Sequence, residues 1–308
     1  METKKGILVL AILAPLTAEI FNGSTGLFEL GAWNVLLGSI LPYSLLIIIL
    51  AYLAQTAISR ASILFLLPIA GIVTEGLIVK SFFNTSFSDL SVLGGVGVWG
   101  GVQWPWTLSL IASHTFVSFL IPLMAAMYLM HEVRVNKTAA YTSGGVLTVF
   151  IGWTTLVIPH MFAWYWVKLG LLALIIVLLV YLSRTVRLSS PTTRSVPLVV
   201  FFLVGLIFPI FNWITSFWLA GKSLMFIMLS QVVFMGAYLY FIRAQLLNER
   251  TSEYKKLAFI AGYYVLFAGG LIYTGLQRDM ADFRLVGATL ALGIIALLMF
   301  SIRRSREA

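Results

Sequence analysis

Apolar runs of about 20 residues recur from one end of this chain to the other, and they restrict its fold more than any other feature. Each run is long enough to cross about 30 Å of hydrocarbon as a helix. Only 10% of the residues are charged, whereas a soluble domain carries about 25%. The sequence therefore predicts an all-α, polytopic transmembrane helical bundle in the cell membrane, with residues 1–308 forming a single integral membrane domain.

Polar breaks divide the apolar runs into about ten predicted spans. The weakest break is the Pro159-His160 pair, which requires a very tight turn; without a turn there, the count falls to nine. The predicted spans are residues 6–21, 34–55, 61–82, 105–130, 140–158, 161–182, 196–220, 223–243, 257–275 and 283–302.

The basic residues alternate between the two sides of this arrangement. Fifteen of the 20 Lys and Arg residues fall on the side that holds the amino terminus. The other five are Lys80, Lys168, Lys222, Arg278 and Arg284. Because cytoplasmic loops are enriched in Lys and Arg, both termini are predicted to be cytoplasmic. The basic residues lie at span ends, so the predicted partner is a bilayer with anionic headgroups on the cytoplasmic side, and not a nucleic acid.

The first apolar run has two interpretations. Lys4 and Lys5 precede it, and Ala18 is a possible cleavage point, so residues 1–18 have the pattern of a signal peptide. The same run is also long enough to form a first span. The alternation of basic residues favours the span.

All nine tryptophans fall in the predicted outer half of the bundle. One interpretation is an aromatic belt at the membrane surface. The other is that some of them line an outward-facing cavity. Trp104 and Trp106 belong to the second interpretation, because the glycine-rich segment 83–104 ends in Trp104-Pro105-Trp106. A connection of this length is often functional, so we expect it to cover or border a site.

Polar side chains from several spans share one depth. At 1.5 Å per residue, Glu75 and Glu19 lie about 20 Å from the inner face, His114 about 16 Å and Asn212 about 24 Å. Lys80 follows Glu75 by five positions. Ionisable residues within spans are rare and often functional, so these residues, with Trp104 and Trp106, form the predicted ligand-binding site. Alternatively, Glu75 and His114 pair only to hold two helices together.

Other chemistry has little support in the sequence. The chain has no cysteine, which excludes disulfides and thiolate metal sites. No metal-ligand pair at helical spacing, phosphate-binding loop or serine-nucleophile motif stands out. We therefore predict neither a metal nor a cofactor.

One part of the chain resembles known proteins. The segment 71–84, Gly-Ile-Val-Thr-Glu-Gly-Leu-Ile-Val-Lys-Ser-Phe-Phe-Asn, the segment 101–106, Gly-Val-Gln-Trp-Pro-Trp, and the downstream His114 resemble a group of uncharacterised prokaryotic multi-pass membrane proteins. That pattern is similar in turn to the CAAX-protease and bacteriocin-processing family of intramembrane proteases, in which a Glu-Glu-x-x-x-Arg helix and a Phe-x-x-x-His helix activate water.

The resemblance implies Glu75 and His114 as candidate catalytic residues. The chain departs from the protease pattern at three positions: Thr74 stands in place of the first Glu, Val79 in place of the Arg and Leu110 in place of the Phe. The ten-span topology is also similar to that of the drug/metabolite transporter superfamily, whose five-span halves form an inverted repeat.

Three functions therefore remain open. The favoured one is binding or transport of a small solute or a lipid-like molecule through an outward-facing polar cavity. The first alternative is a hydrolase that resembles the intramembrane proteases and uses Glu75 and His114. The second is a structural membrane protein without catalytic activity.

Overall fold

The structure is a computed structural model that describes residues 2–21, 25–26, 29, 32–84, 97–130, 133–157, 164–189, 191, 196–214, 224–248 and 251–307. These residues are helical apart from connections and one short antiparallel ribbon, β1 (Val98–Trp99) and β2 (Val102–Gln103). The helices are α1 (Glu2–Pro15), α2 (Leu36–Gln55), α3 (Arg60–Ile78), α4 (Trp104–Met130), α5 (Lys137–Val157), α6 (Tyr165–Thr185), α7 (Leu198–Trp213), α8 (Leu224–Phe241), α9 (Glu253–Gln277) and α10 (Ala281–Glu307).

Within the described residues, eight helices are long and apolar enough to cross a membrane, namely α2 to α6 and α8 to α10. This confirms the all-α class and makes the chain a multi-pass membrane protein. The apolar part of α7 is shorter, and α1 continues as a helical turn to Ile20. The predicted turn at Pro159-His160 lies outside the described residues.

Small residues allow the closest helix crossings. A β-carbon on Gly205 of α7 would lie 2.2 Å from the carbonyl oxygen of Phe259 in α9, and one on Gly262 would lie 2.0 Å from that of Phe202. Side chains at both glycines would separate the two helices. This is the small-residue packing expected where lipid provides no hydrophobic drive for helices to associate.

Five π-helical segments occur in the described residues, and four of them belong to the first four helices. These four are Leu16–Ile20 after α1, Leu36–Ile40 in α2, Ile72–Ile78 in α3 and Thr115–Leu120 in α4. In α3, for example, the Val79 amide donates to the carbonyl of Thr74, five residues earlier, at 2.8 Å. The fifth segment, Ile242–Leu246, follows α8. Because well under 1% of residues are π-helical, and π-bulges are frequent at functional sites, four such segments in α1 to α4 mark these helices.

The described part of the segment 83–104 is the ribbon that precedes α4. Its turn places Gly100 and Gly101 at φ +61° and +69°, which is the left-handed backbone that a tight two-residue hairpin requires. The Gln103 amide donates to the carbonyl of Asn84 at 2.7 Å and closes the base of the segment. We expected this segment to cover or border a site, but its residues 85–96 fall outside the described residues.

Candidate functional site

A close crossing of α3 and α4 positions the two central side chains. A β-carbon on Gly71 would lie only 2.7 Å from the α-carbon of Ile111, so glycine allows the backbones to touch. The Thr115 hydroxyl lies 3.1 Å from the carbonyl oxygen of Leu67, which shows that the helices run antiparallel. Helical side chains lean toward their own N-terminus. In an antiparallel pair, Glu75 and His114 therefore lean toward each other.

The structure brings Glu75 and His114 into direct contact. His114 Nε2 lies 3.1 Å from Glu75 Oε1. The other carboxylate oxygen accepts a hydrogen bond of 2.6 Å from Ser81, and His114 Nδ1 lies 2.8 Å from the Ser118 hydroxyl. The side chains of His114 and Glu75 are only 8% and 12% exposed. His114 is thus buried and Glu75 is mostly buried, with a hydroxyl at each end of the pair.

These contacts determine which nitrogen of His114 carries a proton and which groups accept a hydrogen bond. An ionised Glu75 carboxylate only accepts hydrogen bonds, so the proton of a neutral His114 lies on Nε2, and Nδ1 accepts from Ser118. A second proton on the imidazole turns the contact into an ion pair and makes Ser118 the acceptor. In both arrangements each ring nitrogen of His114 keeps its hydrogen-bond partner.

A second carboxylate lies close to this pair. Glu19 is 8% exposed and accepts a hydrogen bond of 2.7 Å from the Thr25 hydroxyl. It also interacts with the Tyr43 hydroxyl and, through its charge, with His114 and Glu75. The Tyr43 ring stacks on the His114 ring, with centroids 5.9 Å apart and ring planes 16° apart. Tyr43 therefore contacts both Glu19 and His114.

These groups face one cavity of about 420 Å³. Glu19, Tyr43, Glu75, Trp106 and His114 contribute to its wall, and no Lys or Arg of the described residues does. The π-helical segments of α1 to α4 contribute residues as well. The cavity lies within α1 to α4, and therefore within the first of the two predicted five-span halves, not between them.

Lys80 lies outside the cavity lining, although it shares the predicted depth. It follows the end of α3 in a left-handed conformation, with φ of 63°. Its side chain is 2% exposed, and its ammonium group lies 3.2 Å from the carbonyl of Ile78 and 3.4 Å from the Thr154 hydroxyl on α5. Lys80 thus holds α3 against α5.

Asn212 and Trp104 also lie outside the lining of this cavity. Asn212 accepts a hydrogen bond from Ser109 at 3.1 Å and donates one to Ser113 at 2.9 Å, so it binds α7 to α4. The Trp104 indole donates to the carbonyl of Trp99 in the ribbon at 3.1 Å. Depth along a helix does not define the direction in which a side chain points, and these residues point elsewhere.

Three contacts of the central pair are absent from the sequence-based site: Tyr43, Ser81 and Ser118. Ser118 had a recognisable signal, because it lies one helical turn after His114 and residues four apart share a face. Ser81 and Tyr43 carry no such signal, since only the turn after α3 and the packing of α2 bring them to the pair. Among the described residues, no group of three or more His, Asp or Glu is arranged to hold a metal ion.

No protein-family model, curated protein or solved structure matches this chain significantly. We therefore infer the class of the protein from its fold and from the geometry of the site alone. It is a multi-pass helical membrane protein with a polar cavity buried among its first four helices.

Proposed function

We propose that the protein binds, and carries across the cell membrane, a small solute with a positively charged group. The observation that supports this proposal is the cavity of about 420 Å³ with Glu19, Glu75 and His114 in its wall. Its volume lies within the 300–1,000 Å³ range of small-molecule sites. Two carboxylates without a facing Lys or Arg leave a negative site that an ammonium or guanidinium group complements.

The experiment compares two molecules of one length that differ in charge. Putrescine has an ammonium group at each end, and 1,4-butanediol replaces both with hydroxyls. Calorimetry on the purified chain in lipid nanodiscs is expected to show putrescine binding at least about tenfold more tightly, the size expected for a hydrogen bond to a charged group. Uptake of labelled putrescine by proteoliposomes then tests transport.

Charge-removing variants assign the binding to the cavity. Glu75→Gln and Glu19→Gln should each weaken putrescine binding by about tenfold. The matched control is Asp279→Asn, because the side chain of Asp279 is 91% exposed, beyond α9. Equal binding of the two molecules, or equal affinity in wild type and Glu75→Gln, would refute a cation site.

The orientation of the spans is part of this proposal. The distribution of Lys and Arg supports ten spans, with α1 and α7 included and both termini in the cytoplasm. Because the chain has no cysteine, single cysteines report sidedness directly. Gln277→Cys at the end of α9 should react with an impermeant maleimide from outside, and Ser252→Cys should not. The reverse result would invert the topology.

A hydrolase is the second candidate, and the direct Glu75–His114 contact favours it. A carboxylate next to an imidazole is able to orient and deprotonate a water molecule. Against it, the Thr74 hydroxyl donates to the carbonyl of Ala70 at 2.8 Å, so this position offers no second base. If the chain cleaves a fluorogenic peptide and Glu75→Gln abolishes the cleavage, the hydrolase replaces the carrier. If Glu75→Gln and His114→Ala leave binding, uptake and cleavage unchanged, the pair is structural.

A further inference from the structure

The wall of the polar cavity holds more acidic groups than basic ones. Among the described residues that line it, those able to carry a charge at neutral pH are Glu19, Glu75 and His114. Each carboxyl group accepts a hydrogen bond from a hydroxyl, Glu19 from Thr25 and Glu75 from Ser81, as an ionised carboxylate does. His114 is therefore the one described wall residue that is able to become a cation.

Two carboxylates inside a membrane need a positive charge close by, because an unpaired buried charge is costly. A bound ammonium group supplies that charge. In the empty cavity, the wall itself can supply it only as a second proton on the His114 ring. The ring is placed for this state: Nε2 lies 3.1 Å from Glu75 Oε1 and Nδ1 lies 2.8 Å from the Ser118 hydroxyl, so both N–H groups of an imidazolium have an acceptor.

The other titratable groups near α4 do not take over this part. The rings of Tyr238 on α8 and Tyr263 on α9 pack against Phe116, within the aromatic cluster. The Tyr264 hydroxyl donates to the carbonyl of Thr17. On α7 the described residues include no titratable side chain. The ammonium group of Lys80 contacts the end of α3 and α5, outside the cavity lining. The groups that face His114 are thus Glu19 on α1, Tyr43 on α2 and Glu75 on α3.

We infer that a proton on His114 and the cationic solute occupy the cavity in turn, so that the protein releases one proton for each solute that it binds; this rests on the proposed function. With the cavity empty, His114 is an imidazolium paired with Glu75. When an ammonium group binds, it provides the positive charge beside Glu75, and the second proton of His114 leaves to solvent. The proton is then the second ligand of the cavity, and acid weakens the binding of the solute.

Calorimetry on the unaltered chain in lipid nanodiscs counts the protons. Putrescine is titrated in two buffers that differ in ionisation enthalpy, at about pH 6, within the range in which histidine titrates. Alkylammonium groups such as that of Lys titrate at about pH 10, so putrescine keeps its charge and any released proton comes from the protein. About one proton per putrescine is expected. The affinity should also rise at least about threefold between about pH 6 and about pH 8, since binding that releases protons is favoured by a higher pH.

Replacement of the imidazole identifies the group that holds the proton. His114→Gln has no side chain that titrates in this range. It should release less than about a fifth of a proton, and its affinity, whatever its absolute value, should differ less than about twofold between the two pH values. The matched control is Asp279→Asn, which removes an exposed titratable group beyond α9 and should release as many protons as wild type.

A second variant keeps the imidazole and removes one of its acceptors. Ser118→Ala leaves the Nδ1–H of the imidazolium without the Ser118 hydroxyl, so the proton is held less tightly. The ratio of the putrescine affinities at the two pH values should fall about threefold, the size expected for one hydrogen bond to a charged group relative to a neutral one. A variant that is merely misfolded lowers both affinities and leaves their ratio as in wild type. Ser230→Ala, whose hydroxyl contacts only its own helix in the carbonyl of Ile227, is the control.

The outcomes separate this inference from the proposed function. Putrescine binding with no proton release, and with equal affinity at both pH values, would overturn the exchange and leave the cation site in place. Proton release by His114→Gln equal to that of wild type would also overturn it, because a carboxyl group would then hold the proton. Absence of putrescine binding at either pH value would overturn the cation site and the exchange together.

Discussion

The two faces of α4 differ in what they pack against, and this difference separates two parts of the molecule. Leu110, Ser113, His114 and Val117 follow the i, i+3, i+4, i+7 spacing of one helical face and line the polar cavity. On the other side, Phe116 packs within an aromatic cluster of α7, α8 and α9, with its ring centroid 4.3 Å from that of Phe208. One face of α4 thus contributes polar groups to the cavity, and the other packs against α7, α8 and α9 and stabilises the bundle.

The aromatic cluster is dense and has few polar groups. Phe116 also contacts Tyr238 and Tyr263, at centroid distances of 5.4 and 5.7 Å. The Tyr238 hydroxyl donates a hydrogen bond to the carbonyl of Val204 at the edge of this cluster. The cavity, in contrast, has carboxylates in its wall and is lined by segments whose backbone is π-helical. We therefore expect variants of the cluster to change stability, and variants of the cavity to change binding more than stability.

The largest effect is expected for Phe116→Ala. Loss of a fully buried ring from a packed core costs about 3–5 kcal/mol, because the cluster cannot collapse into the space. Thermal unfolding of the purified chain measures it. Phe226→Ala removes a ring of the same size that is 54% exposed, and it should change the midpoint little. Equal shifts for the two variants would show that the cluster does not stabilise the fold.

The next effect is expected for Gly71→Ala, which tests how the crossing positions the site. The added methyl group meets the backbone of Ile111, and overpacking of this kind costs about 1–3 kcal/mol. Separation of α3 from α4 should also weaken putrescine binding, although Gly71 itself bears no polar side chain. Gly144→Ala in α5 is the control, since a β-carbon there meets no atom within 4 Å. If Gly71→Ala binds as well as wild type, the crossing does not determine the Glu75–His114 geometry.

The smallest effect is expected for Asn212→Leu, which removes the polar link between the two faces. Interhelical hydrogen bonds in membranes contribute about 0.6 kcal/mol on average, so the unfolding midpoint should fall only slightly. Putrescine binding should remain within about twofold of wild type, because Asn212 lies outside the lining of the polar cavity. A tenfold loss would mean that Asn212 holds Ser113 in a conformation that the cation requires.

The sequence by itself determined the class of the protein and the place of its helices. Membrane helices satisfy their own backbone hydrogen bonds, so each span can be recognised from its own residues. For the same reason the predicted span 105–130 agrees with α4, Trp104–Met130. The cost of placing an ionisable group in lipid was enough to single out Glu75 and His114.

Only the tertiary structure decided which polar residues share a cavity. Depth follows from counting residues along one helix, but the direction of a side chain around the helix depends on its neighbours. Glu19 and Trp106 therefore reach the cavity, while Lys80 packs against α5 and Asn212 faces the other side of α4. The π-helical segments were likewise not predictable, because no local pattern in these apolar runs indicates them. Each π-turn rotates every later side chain of its helix, so it also changes which residues face the cavity.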